Sequence, residues 1–97
     1  MIKVNDKISS DAGYNSDIYI SQDVEKMVIK STKNEKYLND YEGVLYDICY
    51  MSKFTYQLKP GASEVFSVRI SRLGRKKTFY FTILKNDKKI HIDTFKG

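Results

Sequence analysis

Three stretches in the C-terminal part of the chain alternate apolar and polar residues with a period of two. No other feature constrains the fold as tightly. Phe66, Val68 and Ile70 share one face of the first stretch, Phe79, Phe81 and Ile83 one face of the second, and Ile90 and Ile92 one face of the third. Strict alternation marks a half-buried β-strand, because successive side chains point to opposite sides of a sheet. Reading Leu73-Gly74 as a two-residue turn pairs Val68 with Phe79 and Phe66 with Phe81. Reading Asn86-Asp87 as another pairs Ile83 with Ile90 and Phe81 with Ile92. A slip of one residue in either hairpin would turn an apolar face toward solvent, so the two registers support each other.

Upstream of Lys59-Pro60-Gly61 the period is helical. Ser21 is a suitable N-cap for a helix over residues 22–31, with Val24, Met27 and Val28 on one face. Thr32 and Glu35 read as a T-x-x-E capping box, which predicts a second helix from Lys33 to about Tyr50. Its apolar stripe is Leu38, Tyr41, Leu45 and Ile48, with Gly43 as its weak point. Residues 1–20 read as a strand start at Ile2-Lys3-Val4, a loop over residues 9–16 around Gly13, and a short strand at Asp17-Ile18-Tyr19-Ile20. The expected architecture is α+β: an antiparallel sheet with a C-terminal three-stranded meander and two helices packed on its apolar face. At 97 residues, the expectation is a single domain over residues 1–97.

Charge is divided unevenly along the chain. Residues 1–58 carry seven Lys against nine Asp or Glu, net −2, whereas residues 59–97 carry ten Lys or Arg against three acids, net +7. Arg72, Arg75, Lys76 and Lys77 crowd into one apparent hairpin, beside Arg69. Such a concentration suits a polyanion, with RNA or DNA as the first candidate. Charged hairpin edges also keep sheets from adding to one another, which is the plainer use of the cluster. No apolar run approaches the ~20 residues that span a bilayer, and the start lacks the apolar stretch of a secretory signal, so a soluble, cytoplasmic protein is expected. The one cysteine, Cys49, falls in the apolar helical pattern and is expected to pack rather than react. With one His, one Cys and no clustered ligand spacing, neither a metal site nor a cofactor is expected.

The same registers specify the polar face of the sheet. They put Arg69 opposite Thr78, Ser67 opposite Tyr80, Thr82 opposite His91 and Tyr80 opposite Asp93, gathering Arg69, Tyr80, His91 and Asp93 on one surface. Cations there would hold phosphates, and a tyrosine can stack on a base. The set also matches metal-free RNA cleavage, which needs a base, an acid and a cation to stabilise the charged phosphorane. His91 is the candidate acid or base, Arg69 the candidate phosphate clamp, and Tyr80 the candidate stacking or proton-transfer group. Each has an ordinary alternative: a solvated strand histidine, a cross-strand packing tyrosine.

Residues 58–97 resemble the C-terminal half of the RelE/ParE/HigB toxin superfamily. The resemblance rests on Leu58-Lys59-Pro60-Gly61, Phe66-Ser67-Val68-Arg69-Ile70, Gly74-Arg75-Lys76-Lys77-Thr78-Phe79-Tyr80-Phe81, and Lys89-Ile90-His91-Ile92-Asp93-Thr94-Phe95-Lys96. Two helices ahead of such a sheet also fit that pattern, whereas two strand-like pieces in residues 1–20 exceed the one strand it usually has there. The resemblance implies a ribosome-dependent mRNA endonuclease neutralised by a cognate antitoxin. It would make Arg69 the strand arginine, Arg75 the basic residue after the turn and Lys96 the terminal lysine, with Arg72, Lys76 and Lys77 completing an RNA-binding edge. Other branches of the superfamily inhibit DNA gyrase, so a shared fold would not by itself imply a ribonuclease.

Two other readings compete. One is a non-enzymatic protein of a phage or other mobile element that binds and inhibits a host nuclease or nucleic-acid complex, as anti-CRISPR proteins do. The Lys-, Asn-, Ile- and Tyr-rich composition and small size suit that origin. The other is a structural or regulatory subunit whose basic hairpin contacts a protein.

Overall fold

The computed structural model describes residues 1–32, 40–53, 63–72, 75–86 and 88–95. Its elements are β1 (Ile2–Lys3), α1 (Asp6–Asp11), β2 (Asp17–Ile20), α2 (Gln22–Thr32), α3 (Tyr41–Ser52), β3 (Ser63–Arg72), β4 (Arg75–Asn86) and β5 (Lys89–Thr94). The architecture is α+β. The strands form one sheet in the order β1-β2-β5-β4-β3, with the β3-β4-β5 meander antiparallel throughout. One pairing departs from a purely antiparallel sheet: β2 runs parallel to β5, matching Ile18 with Ile90 and Ile20 with Ile92. A parallel pair needs a long crossover, and α2, α3 and the β3–β4 hairpin supply it. No helix among the described residues is long and apolar enough to cross a membrane.

The alternating residues of the strands meet the helices in one core. Ile18, Ile20, Phe81, Ile83, Ile90 and Ile92 are completely buried, and Phe66, Val68 and Ile70 nearly so. They pack with Ile8 and Ala12 of the α1 region, Val24 and Val28 of α2, and Val44, Leu45, Ile48 and Cys49 of α3. Phe66 and Phe81 stack across β3 and β4 at 5.4 Å between ring centroids. Burying each such side chain stabilises the fold by roughly 1.5–3 kcal/mol, so the apolar face holds the sheet to the helices.

Three local readings of the sequence are corrected. Residues 9–16 are not simply a loop: α1 begins at the Asn5 cap, whose side chain accepts the Lys7 N–H at 2.7 Å, and it buries Ile8. The helix buries only one apolar residue, Ile8, beside Ser9, with Ala12 buried at its C-cap, too few for a visible period. Gly13, at φ 95°, then turns the chain in the left-handed conformation that favours glycine. Tyr14 follows it into the core and shares a 2.6 Å hydrogen bond with Ser52 of α3, while the Lys53 ammonium donates to the Gly13 carbonyl. These contacts tie the turn to the end of α3.

Residues 33–39, where the second helix is expected to begin, lie outside the described residues; α3 itself starts at Tyr41 with Asp40 as its cap, and Gly43 N–H donates to the Asp40 carboxylate. Thr32 is not a cap but the last residue of α2, its hydroxyl donating to Ile29 O at 2.9 Å. A threonine hydroxyl can satisfy either role, and the local back-bond wins here. Glu35 and Leu38 lie outside the described residues. Ser21 behaves as expected, its Oγ accepting the Val24 N–H at 3.2 Å.

The β3–β4 register is the expected one, with Phe66 opposite Phe81, Val68 opposite Phe79 and Arg69 opposite Thr78. The β4–β5 register is shifted by two residues: Ile83 pairs with Ile92, Leu84 with His91, and Asn86 with Lys89. Asn86 is therefore a strand residue rather than a turn residue. A two-residue shift leaves every side chain on its original face, so the apolar pattern cannot discriminate between the registers. Charge can: the expected register sets Lys85 directly opposite Lys88, whereas the observed one sets Lys85 opposite Ile90.

Candidate nucleic-acid interface

The face of the sheet turned away from the helices carries the polar alternates of the same strands. Tyr80 is 55% exposed, Val65 44%, Phe95 44% and Leu84 37%, so this face presents aromatic and apolar groups rather than a uniformly charged surface. Arg69 lies on the edge strand β3 opposite Thr78, and Tyr80 lies on β4 opposite Ser67. The two are diagonal neighbours on one face, a spacing that long side chains span. Lys76 follows on this face opposite Ser71, while Lys77, opposite Ile70, leaves the hairpin end on the other side of the sheet; both are exposed. Arg72 and Arg75 pair at the end of the hairpin; their side chains lie outside those described, as does Lys96.

His91 does not join this group. The corrected register sets it opposite Leu84 on one side and Tyr19 on the other. Leu84 is six residues along β4 from Thr78, the partner of Arg69, which separates the two levels by roughly 20 Å at a strand's rise per residue. Two strand spacings add about 10 Å sideways, so Arg69 and His91 cannot reach one phosphate. His91 stacks on Tyr19 at 5.6 Å between centroids with the rings 21° apart, and the Lys89 ammonium lies over the same Tyr19 ring, 5.7 Å from its centroid.

Asp93 is also not opposite Tyr80 but opposite Thr82. Its Oδ1 accepts from Ser21 Oγ and from the Thr94 N–H, each at 2.7 Å. Because Ser21 also caps α2, the exposed Asp93 carboxylate bridges β5 to the junction between β2 and α2. Beside it a shallow depression of about 520 Å³ is lined by Met1, Ser63, Thr82, Leu84, Asn86, His91 and Asp93. Cys49 is completely buried, and burial pushes its thiol up to about 12, which leaves almost no thiolate near neutral pH.

A second concavity was not anticipated. Between α3 and the edge strand β3 runs a groove of about 350 Å³, lined by Asp47, Tyr50, Met51, Ser67, Val68 and Arg69. Asp47, Tyr50 and Met51 are spaced i, i+3, i+4 and so form one stripe of α3, a signal present in the sequence. That this stripe borders Arg69 depends on α3 packing along β3. Burial raises the Asp47 carboxyl above its usual range, and the nearby Lys76 ammonium pulls it back.

No family model, curated protein or solved structure matches the chain.

Proposed function

We propose that this protein binds single-stranded RNA through the open end of its sheet and acts by occupying the strand rather than by cutting it. One observation carries the reading: Arg69 and Tyr80 are diagonal neighbours on an uncovered sheet face that leads to the exposed Lys76, with Lys77 exposed beside it on the opposite side of the hairpin end. Arginine and lysine hold phosphates, and an exposed tyrosine offers a stacking platform for a base. Cleavage would require both an acid and a base at the phosphate; Tyr80 is the candidate beside Arg69, and His91 is too distant to serve as the second. In a phage or mobile element, the same grip would inhibit a host nucleic-acid complex.

A specific feature favours a second reading, a RelE-like mRNA endonuclease with an antitoxin partner. The succession of β2, then α2 and α3, then the β3-β4-β5 meander agrees with the arrangement that the sequence resemblance implies. On that reading Arg69 and Tyr80 remain candidate catalytic groups, and His91 does not act with them.

Fluorescence anisotropy on labelled single-stranded RNA across a salt series, paired with mapping of mRNA ends in cells expressing the protein, tests both. Three phosphate contacts from Arg69, Lys76 and Lys77 predict a slope of log K against log salt of about −2. Binding with intact transcripts supports occupation. New mRNA ends that disappear in Arg69→Ala and Tyr80→Ala would transfer the assignment to the endonuclease. Absence of RNA binding would overturn occupation, and absence of new mRNA ends would overturn the endonuclease.

A further inference from the structure

The groove between α3 and β3 has the features of a base-recognition site. Its floor is the buried Val68, and one wall is formed by Tyr50 and Met51, which remain 43% and 38% exposed. The Tyr50 ring is held in place by stacking on Tyr46 one turn earlier, at 5.8 Å and 18°. An aromatic ring fixed by its neighbour is a pre-organised surface for a flat ligand, and a concavity of this size lies in the range that admits a nucleotide. Two charged groups of opposite sign complete the lining: Arg69 from the strand and Asp47 from the helix. The nearby Lys76 ammonium favours the ionised form of the Asp47 carboxylate, against the effect of burial.

We propose that this groove seats one guanine nucleotide of the bound RNA, with the base against Tyr50 and Met51, its Watson–Crick edge on Asp47, and a phosphate on Arg69. An ionised carboxylate only accepts hydrogen bonds, through two oxygens. Guanine is the base that offers it two adjacent donors, N1–H and the N2 amino group. Adenine and cytosine each present one donor beside an acceptor, and uracil presents one donor between two carbonyls, so each of these leaves a carboxylate oxygen facing a lone pair. Arg69 also bounds the open face near Tyr80, so a strand leaving the groove continues directly onto the proposed RNA surface. The inference deepens the RNA-binding reading and rests on it.

The test uses the full chain and four labelled 11-mers: all-uridine, and oligouridine with a central guanosine, adenosine or inosine. Inosine keeps N1–H but lacks the amino group, so it removes half of the recognition without any change to the protein. The guanosine strand is expected to bind about tenfold more tightly than the all-uridine strand, in keeping with a bidentate base contact. Inosine should lose most of that gain, and adenosine all of it. Asp47→Asn, with its fold verified by circular dichroism, should bring the guanosine and all-uridine strands to one affinity. Equal, salt-dependent binding of all four strands would overturn the guanine site and leave the RNA reading standing. A guanosine preference that persists with inosine or in Asp47→Asn would overturn the role given to Asp47. No binding to any strand would overturn the RNA reading together with the site.

Discussion

The two faces of the sheet are built from alternate residues of the same strands, yet they serve opposite ends. On the helix-covered face, Phe81, Ile83, Ile90 and Ile92 are fully buried; one residue away, Tyr80 and Leu84 stand exposed and His91 is half-buried. The covered face supplies most of the burial that stabilises the fold. The open face is therefore released from packing and can carry Arg69, Tyr80 and Lys76 at little cost to stability. Chemistry and stability are separated here by a single step along a strand, which makes the comparison testable with neighbouring substitutions.

The largest contrast should come from adjacent residues of β4. Phe81→Ala removes a completely buried ring stacked on Phe66 and should cost about 3–5 kcal/mol in urea unfolding. Tyr80→Ala should stay within about 0.5 kcal/mol while weakening RNA binding. Equal losses at both positions would mean that the open face is covered in solution.

Cys49 probes the same core from the helix side. With its thiol raised to about 12 from an ordinary 9.0, the folded protein should react with a thiol reagent at pH 8 about a thousandfold more slowly than the denatured chain. Rapid labelling under native conditions would show that the core opens near α3.

A smaller effect separates the two candidate caps. Asp40→Ala should cost about 1 kcal/mol, because it leaves the Gly43 N–H without its partner, whereas Thr32→Ala should be within about 0.5 kcal/mol of neutral. The reverse order would restore the capping box read from the sequence.

The least effect on stability is expected at the basic edge. Lys76→Ala and Lys77→Ala should each alter unfolding by less than about 0.5 kcal/mol, yet each should reduce the RNA salt slope by about 0.7. A slope unchanged by both would assign the hairpin charges to keeping sheet edges apart.

Much of this organisation is legible in the sequence. The meander, the faces of its strands, the β3–β4 register and the Ser21 cap all follow from local pattern, because a period of two and a capping side chain are local facts. The β4–β5 register was not legible to the same degree. Ile83 can meet either Ile90 or Ile92 with an apolar partner, and only the charge on Lys85 and Lys88 separates the alternatives. The expected register already sets His91 about 13 Å along β4 from the level of Arg69, and the observed shift widens that to roughly 20 Å, so sharing one face of the sheet does not bring the two to one phosphate.

The sequence by itself determined which residues are apolar, the period at which they recur, and where positive charge is concentrated. It thereby specified an α+β fold with one covered and one polar sheet face. Only the tertiary structure decided how β1 and β2 join the meander, with β2 parallel to β5, and that Asp47 shares a groove with Arg69. Those outcomes depend on contacts between residues far apart in the chain, where a pattern that repeats every two or 3.6 residues carries no information about which repeat meets which.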